Sequence, residues 1–172
     1  DEHKRVLRNL VIDEHSPGTI LHDFRILLDI FRLDKQTLTA SHQIPQKLLA
    51  EINQRLKHPI VLALKRPQQK SYRHIHGLYL LLRASGLTYV ESSGKKPFLV
   101  VDEKAYEQWE SLTPTERYGN LLETWLFRGH ADIIGEYARP TWMMPNNLNE
   151  IIHFIARYDL QQGLQVNGDR DT

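Results

Sequence analysis

The sequence predicts a mainly α (α+β) fold: a winged helix-turn-helix-like domain with a small β-hairpin wing and additional C-terminal helices. Three observations lead there. Apolar residues recur at spacings of three and four in several separate segments, each bounded by cap or turn residues. A helix opening near Ser71 runs through Gly86 into two short strands, LTYVESS and FLVVD, joined by GKKP. Two amphipathic helices precede it, so three helices feed a hairpin in winged-helix order.

Size and composition bound the reading. A chain of 172 residues with 41% hydrophobic content fits one domain, or one domain with an appended helical unit. At that length folding hides roughly two-thirds of the unfolded surface. No run approaches the ~18 apolar residues of a membrane span, so no membrane partner is expected. The sequence contains no cysteine, which excludes disulfides and thiolate metal sites and is compatible with a reducing, cytoplasmic location. It opens on Asp1 rather than Met, as a piece of a longer protein would.

Residues 1–18 alternate charge with small apolar groups and end at the turn signal Ser16-Pro17-Gly18, reading as an N-terminal segment or linker. Thr19 then caps a helix whose Leu21, Phe24, Leu28 and Phe31 share one face. Pro45 suits a first helical position, ahead of a second stripe at Leu48, Leu49, Ile52 and Leu56. Pro59 breaks that pattern, and residues 60–64 form an apolar run read as strand or buried turn. A polar connector with Pro67 delivers the chain to the central helix. There Ser71 is the expected N-cap, Tyr72, Ile75, Tyr79 and Leu82 mark the buried face, and Gly86 is the C′ residue. The winged-helix-like domain therefore spans 19–112.

An extension over 113–158 follows, expected to pack on that domain. Thr113-Pro114-Thr115-Glu116 is a capping box with proline in the first turn. Tyr118, Leu121, Leu122 and Trp125 read as the apolar face, with Trp109 and Trp125 assigned to the core and Gly129 as the stop. A further turn or two is expected over 132–137, an irregular loop around Trp142-Met143-Met144, and a last helix from Asn146 or Asn147. Residues 159–172 are polar and aperiodic, as a disordered tail is.

Charge is segregated along the chain although the net is only +1. From Ile52 to Val90 there is no acidic residue, whereas Arg55, Lys57, Lys65, Arg66, Lys70, Arg73 and Arg83 fall inside that window. From Asp102 to Glu136 eight carboxylates face only Lys104, Arg117 and Arg128. A basic block without acids is the footprint of a polyanion partner. It equally suits neutralisation by the acidic helices, within the fold or across a subunit contact.

The strings SYRHIHGLYLLLRASGL and WESLTPTERYGNLLETWL resemble a region of uncharacterised bacterial proteins. In those proteins a winged-helix-like segment accompanies a plasmid-type open-reading-frame domain. The resemblance covers roughly residues 20–137 and rests mostly on core and cap positions. It implies a mobile-element or genomic context, and it carries over no catalytic residue.

In a winged helix the third helix enters the major groove and the wing touches the backbone. The nucleic-acid-binding set is then Arg55, Lys65, Arg66, Gln69, Lys70, Arg73 and His74, with Lys95 and Lys96 at the wing tip. Arg73 and Gln69 lie nearest the bases, while the lysines and other arginines neutralise phosphate. Six neutralised phosphates predict a log–log salt slope of about −5. One feature of the central helix opposes this: residues 78–82 are all apolar, so its second half should be buried on most sides. The alternative is a protein–protein interaction or homodimerisation module of the same fold without DNA binding.

His74 and His76 point about 200° apart on a helix and cannot share an ion, so one is expected at the surface and one near the helix edge. No other histidine has metal-ligand spacing. Phosphate-binding glycine loops, a nucleophile elbow and a cysteine nucleophile are all missing from the sequence, so no enzyme, cofactor, metal or small-molecule substrate is assigned. The expected partners are duplex DNA and a second copy of the chain.

Overall fold

The apolar stripes of the sequence become helices in the computed structural model, which describes residues 11–34, 36–93 and 96–134. In order these form α1 (Ile20–Leu33), α2 (Gln46–Arg55), α3 (Arg73–Ala84), β1 (Thr88–Ser93), β2 (Lys96–Val101), α4 (Glu103–Glu110) and α5 (Pro114–Phe127). Short 3-10 turns occupy Gln69–Ser71 and Ala131–Ile134. The described part is thus mainly helical with one two-stranded antiparallel hairpin. Expectations for residues 1–10, 35, 94–95 and 135–172 lie outside the described residues; they include the Trp142 loop, the last helix and the tail.

α1 is the centre of the core because it is apolar over more than one face. Leu21, Phe24, Leu27, Leu28, Ile30 and Phe31 are all buried, each such side chain contributing about 1.5–3 kcal/mol of transfer free energy. Leu48, Leu49, Ile52 and Leu56 of the α2 segment meet it, as do Tyr72, Ile75, Tyr79 and Leu82 of the α3 segment. The α2 and α3 positions follow from the sequence spacing, as do Leu21, Phe24, Leu28 and Phe31 of α1, while Leu27 and Ile30 widen the buried face beyond it.

Caps explain where the helices begin and end, and they amend two expectations. Thr19 is the N-cap of α1, but its hydroxyl donates to Asp23 Oδ2 at 2.7 Å instead of accepting a backbone N–H. Ser71 does not cap α3, whose N-cap is Tyr72. It closes the preceding 3-10 turn, where Gln68 N–H donates to Ser71 Oγ at 3.2 Å. Beyond α3, Gly86 takes φ +83, the left-handed geometry that lets the chain leave the helix for β1. At α5 the capping box forms: Glu116 N–H donates to Thr113 Oγ1 at 3.3 Å and Thr113 N–H donates to Glu116 Oε2 at 2.8 Å. Those bonds from the Thr113 backbone and side chain hold the Glu116 carboxyl below its usual range.

β1 and β2 pair in register from Thr88–Val101 to Ser93–Lys96. A third segment joins them that the sequence did not announce. Thr37, just past α1, bridges antiparallel to Phe98, and Leu38 N–H donates to Pro97 O at 2.8 Å. A single bridge leaves no strand-length pattern to read.

α4 and α5 attach through charge as well as apolar contact. Trp109 is buried against Phe24, with ring centroids 5.4 Å apart. Arg25 Nη2 donates to both carboxylate oxygens of Glu110, at 2.7 and 2.8 Å, and Arg32 pairs with Glu103 at 3.0 Å while lying over the Tyr106 ring. Arg117 of α5 is buried and donates to the last carbonyls of α4, Trp109 O at 3.2 Å and Glu110 O at 2.6 Å. A guanidinium there adds a charged donor to Glu110 O and to Trp109 O, which also accepts Leu112 N–H at 3.2 Å, and it meets the negative end of the helix dipole.

The buried face of α5 differs from the expected one. Leu121 is buried, but its companions are Arg117 and Thr124, while Leu122 and Trp125 are exposed at 45% and 49%. Trp125 is therefore not a core residue. The helix turns toward α4 the residue that bonds α4, which rotates two apolar side chains outward.

Candidate nucleic-acid interface

The segment between α2 and α3 is the part of the basic block that belongs to no regular element, and it is held at defined points. Lys57 N–H donates to Asp23 Oδ1 at 2.9 Å. Burial pushes the Asp23 carboxyl up, but bonds from Thr19, the Lys57 backbone and His22 outweigh it and leave the group below its usual range. Asn53, buried on α2, grips the next point. Its amide donates to Ile60 O at 2.9 Å and its oxygen accepts Ile60 N–H at 3.0 Å.

That grip corrects the expectation for residues 60–64, which form neither a strand nor a buried turn. Asn53 takes the N–H and C=O that a neighbouring strand would have used. The run stays at the surface, with Val61 99% exposed and only Leu62 half-buried.

Along this segment, and at the ends of α2 and α3 that flank it, the cations face solvent. Arg55, Lys57, Lys65, Arg66 and Arg73 are exposed, and no ion pair among the described residues uses them. Of the carboxylates on the described acidic helices, Glu110 pairs with Arg25 and Arg117 and Glu103 with Arg32. Lys70 and the wing residue Lys96 are also exposed, while Lys95 lies outside the described residues. The wing and the segment attach to opposite ends of α1: Asp23 in its first turn holds Lys57, and the chain beyond Leu33 holds β2. A 14-residue helix separates these ends by about 21 Å.

Two expected contact residues are engaged within the fold. Gln69 is 1% exposed; its oxygen accepts Ile44 N–H at 2.7 Å and its amide nitrogen lies 3.2 Å from His76 Nδ1. It is structural, and it leaves the base-contacting set. His74 is half-buried with Nε2 3.1 Å from Asn53 Oδ1. Burial lowers its pKa, partly offset by the Asp23 charge, so it takes up a proton less readily than an ordinary histidine. His74 and His76 do diverge as a helix requires, but both are half-buried and bonded, so neither is the free surface histidine expected. Among the described residues no three His, Asp or Glu side chains converge as a metal site requires.

The outward face of α3 completes the picture. Leu78, Leu81 and Leu82 are buried, as the apolar run implied, with α5 packed against this helix. Its remaining face, including Arg73, Gly77 and Leu80, lines a groove of about 550 Å³ together with Ile20, Asp23, Leu122 and Trp125. Gly77 is exposed in mid-helix, and a Cβ added there would meet nothing within 4 Å. Glycine at such a position costs about 0.5–1 kcal/mol relative to alanine.

No protein-family model matches the chain, and neither a curated protein nor a solved structure matches it significantly. Among the described residues no helix is long and apolar enough to cross a membrane.

Proposed function

We propose that this is a winged-helix-like domain that binds the phosphate backbone of nucleic acid, duplex DNA foremost, through the cations of its α2–α3 segment and wing. One observation carries the reading: Arg55, Lys57, Lys65 and Arg66 are exposed in an acid-free stretch and form no ion pair among the described residues, although the Arg55 charge is felt by Asp29 of α1. The winged-helix assignment is supported by the order of three helices and a hairpin, with Thr37 bridged to the second strand. The resemblance of the Ser71 and Thr113 regions to bacterial winged-helix-like segments points the same way. Base reading by α3 has less support, because Gln69 is buried and the outward face lies in an apolar groove. The expected mode is therefore sequence-tolerant phosphate contact.

Fluorescence anisotropy with a labelled random-sequence duplex tests this. Four phosphate contacts predict a log–log salt slope of about −3.6. Lys65→Ala with Arg66→Ala should reduce that slope by about two and weaken binding to all sequences alike. Stability should change by less than about 0.5 kcal/mol, as for other exposed unpaired charges. No binding at low salt would overturn the proposal.

A second reading is a protein-interaction or homodimerisation module without DNA binding. It is favoured by the apolar groove beside the exposed Leu122 and Trp125.

A further inference from the structure

We infer that Val61 and Leu64, the exposed apolar tip of the α2–α3 segment, form a wedge that enters the minor groove of duplex DNA beside Lys65 and Arg66 and kinks the duplex where it enters. The inference rests on the nucleic-acid reading above and deepens it by naming the groove, the contact and the deformation of the partner.

Exposure is the first argument. Val61 is 99% exposed and Leu64 56%, with Ile60 beside them at 37%. Apolar residues scattered singly over a surface need no account, but three this close together in a basic, acid-free stretch do. Lys65 and Arg66 follow Leu64 directly, are exposed, and enter no ion pair among the described residues. Phosphate satisfies those two cations and offers the aliphatic side chains nothing.

The second argument is that the tip is backed by fixed structure. Asn53 fastens the Ile60 backbone through two hydrogen bonds, at 2.9 and 3.0 Å. Leu62, between Val61 and Leu64, packs against the core. On the far side the Gln68–Ser71 turn closes, and the buried Gln69 accepts Ile44 N–H at 2.7 Å. A wedge must bear on the base stack, and a segment held at both ends and in the middle passes that load to α2 and the core.

Chemistry selects the occupant. The cations call for a polyanion, and the tip calls for an apolar interior just behind the charged surface. A bilayer with anionic headgroups offers both, and so does a duplex, whose base stack lies behind its phosphates. Size decides between them. The side chains of Ile60, Val61 and Leu64 together carry fewer carbons than one myristoyl chain, which alone gives only marginal bilayer attachment. Aliphatic wedges beside Lys or Arg do part single base steps from the minor groove. Steps that unstack easily are then preferred without any hydrogen bond to a base edge, which suits a site whose Gln69 is buried.

Energy transfer between dyes at the two ends of a ~25-base-pair duplex, titrated with the 172-residue chain, tests this. Transfer should rise on binding as the ends approach. A duplex with one mismatched central pair, whose stack parts more easily, should bind about tenfold tighter than the matched one. Val61→Ser with Leu64→Ser changes only exposed positions and should leave the fold intact. It should abolish the rise in transfer and the mismatch preference, while the salt slope, which counts phosphates, stays at about −3.6. Absence of duplex binding at low salt overturns the nucleic-acid reading and the inference together. Salt-dependent binding with no rise in transfer and no mismatch preference overturns the inference alone. So does co-sedimentation with vesicles of equal phosphatidylglycerol and phosphatidylcholine that the double variant abolishes while duplex binding is indifferent to it, an outcome that assigns the tip to a bilayer.

Discussion

The acidic helix α4 and the basic segment between α2 and α3 put their charges to opposite uses. Glu103 and Glu110 are paired with Arg32 and Arg25, and Arg117 reaches the end of α4 from α5. These carboxylates dock helices onto α1. In the basic segment the fold is held by neutral or backbone groups, Asn53 at Ile60 and Lys57 N–H at Asp23, while the charged ends of Arg55, Lys57, Lys65 and Arg66 enter no ion pair among the described residues. Segregated charge therefore does not mean internal balance. Glu103 and Glu110 are used in assembly, whereas the cations of the basic segment are left facing outward, and it is those cations that have the form of a site for an external anion.

The sharpest break in this contrast comes from the acidic side. Arg117→Met should lower unfolding free energy by about 3 kcal/mol, since it strips buried carbonyls of a charged donor. Urea denaturation measures it, and a loss near zero would mean that Arg117 is a bystander and that α4 is held by Trp109 and its pairs with Arg25 and Arg32.

On the basic side Asn53→Ala should cost about 2 kcal/mol, because three hydrogen-bonding relations of a buried amide are lost together. The informative readout is local. Amide exchange at Ile60 and its neighbours should accelerate far more than exchange in α1, whereas uniform acceleration would show that Asn53 serves the core and not the segment.

A smaller effect concerns pH. Burial lowers the His74 pKa from the ordinary 6.5. The unfolded chain then takes up a proton that the folded chain resists, so stability falls as pH drops through about 6.5 toward the folded value and is constant in this respect above it. His74→Gln should flatten that part of the stability curve in a chemical-denaturation series. An unaltered curve would assign the acid sensitivity to another group.

Much of the fold was legible because α1, α2 and the buried face of α3 obey one rule, apolar residues at helical spacing. α5 was misread for a physical reason. Its apolar residues cover two faces, and the buried one is completed by Arg117 and Thr124, which pattern reading places in solvent. The site divides similarly. The exposed cations follow from the absence of acids over 52–90, since an unpaired charge belongs at the surface whatever the fold. Gln69 and His74 do not follow, because an amide or imidazole beside a helix start looks the same in sequence whether it meets a base or the protein's own backbone. Asn53 was missed for the same reason: a single asparagine next to Ile52 carries no pattern until Ile60 is seen opposite it.

The Asn53 grip also bears on engineering. Because Ile60 is fastened on one side and the Gln68–Ser71 turn closes the other, the exposed stretch between them behaves as a tethered span with fixed feet. A short peptide tag or a single labelled residue placed near Ala63 would sit between those feet without entering the core. The exposed Ala63 is thus a natural position for a reporter dye, close enough to the cations to sense an anion arriving and outside the core against which its neighbour Leu62 packs.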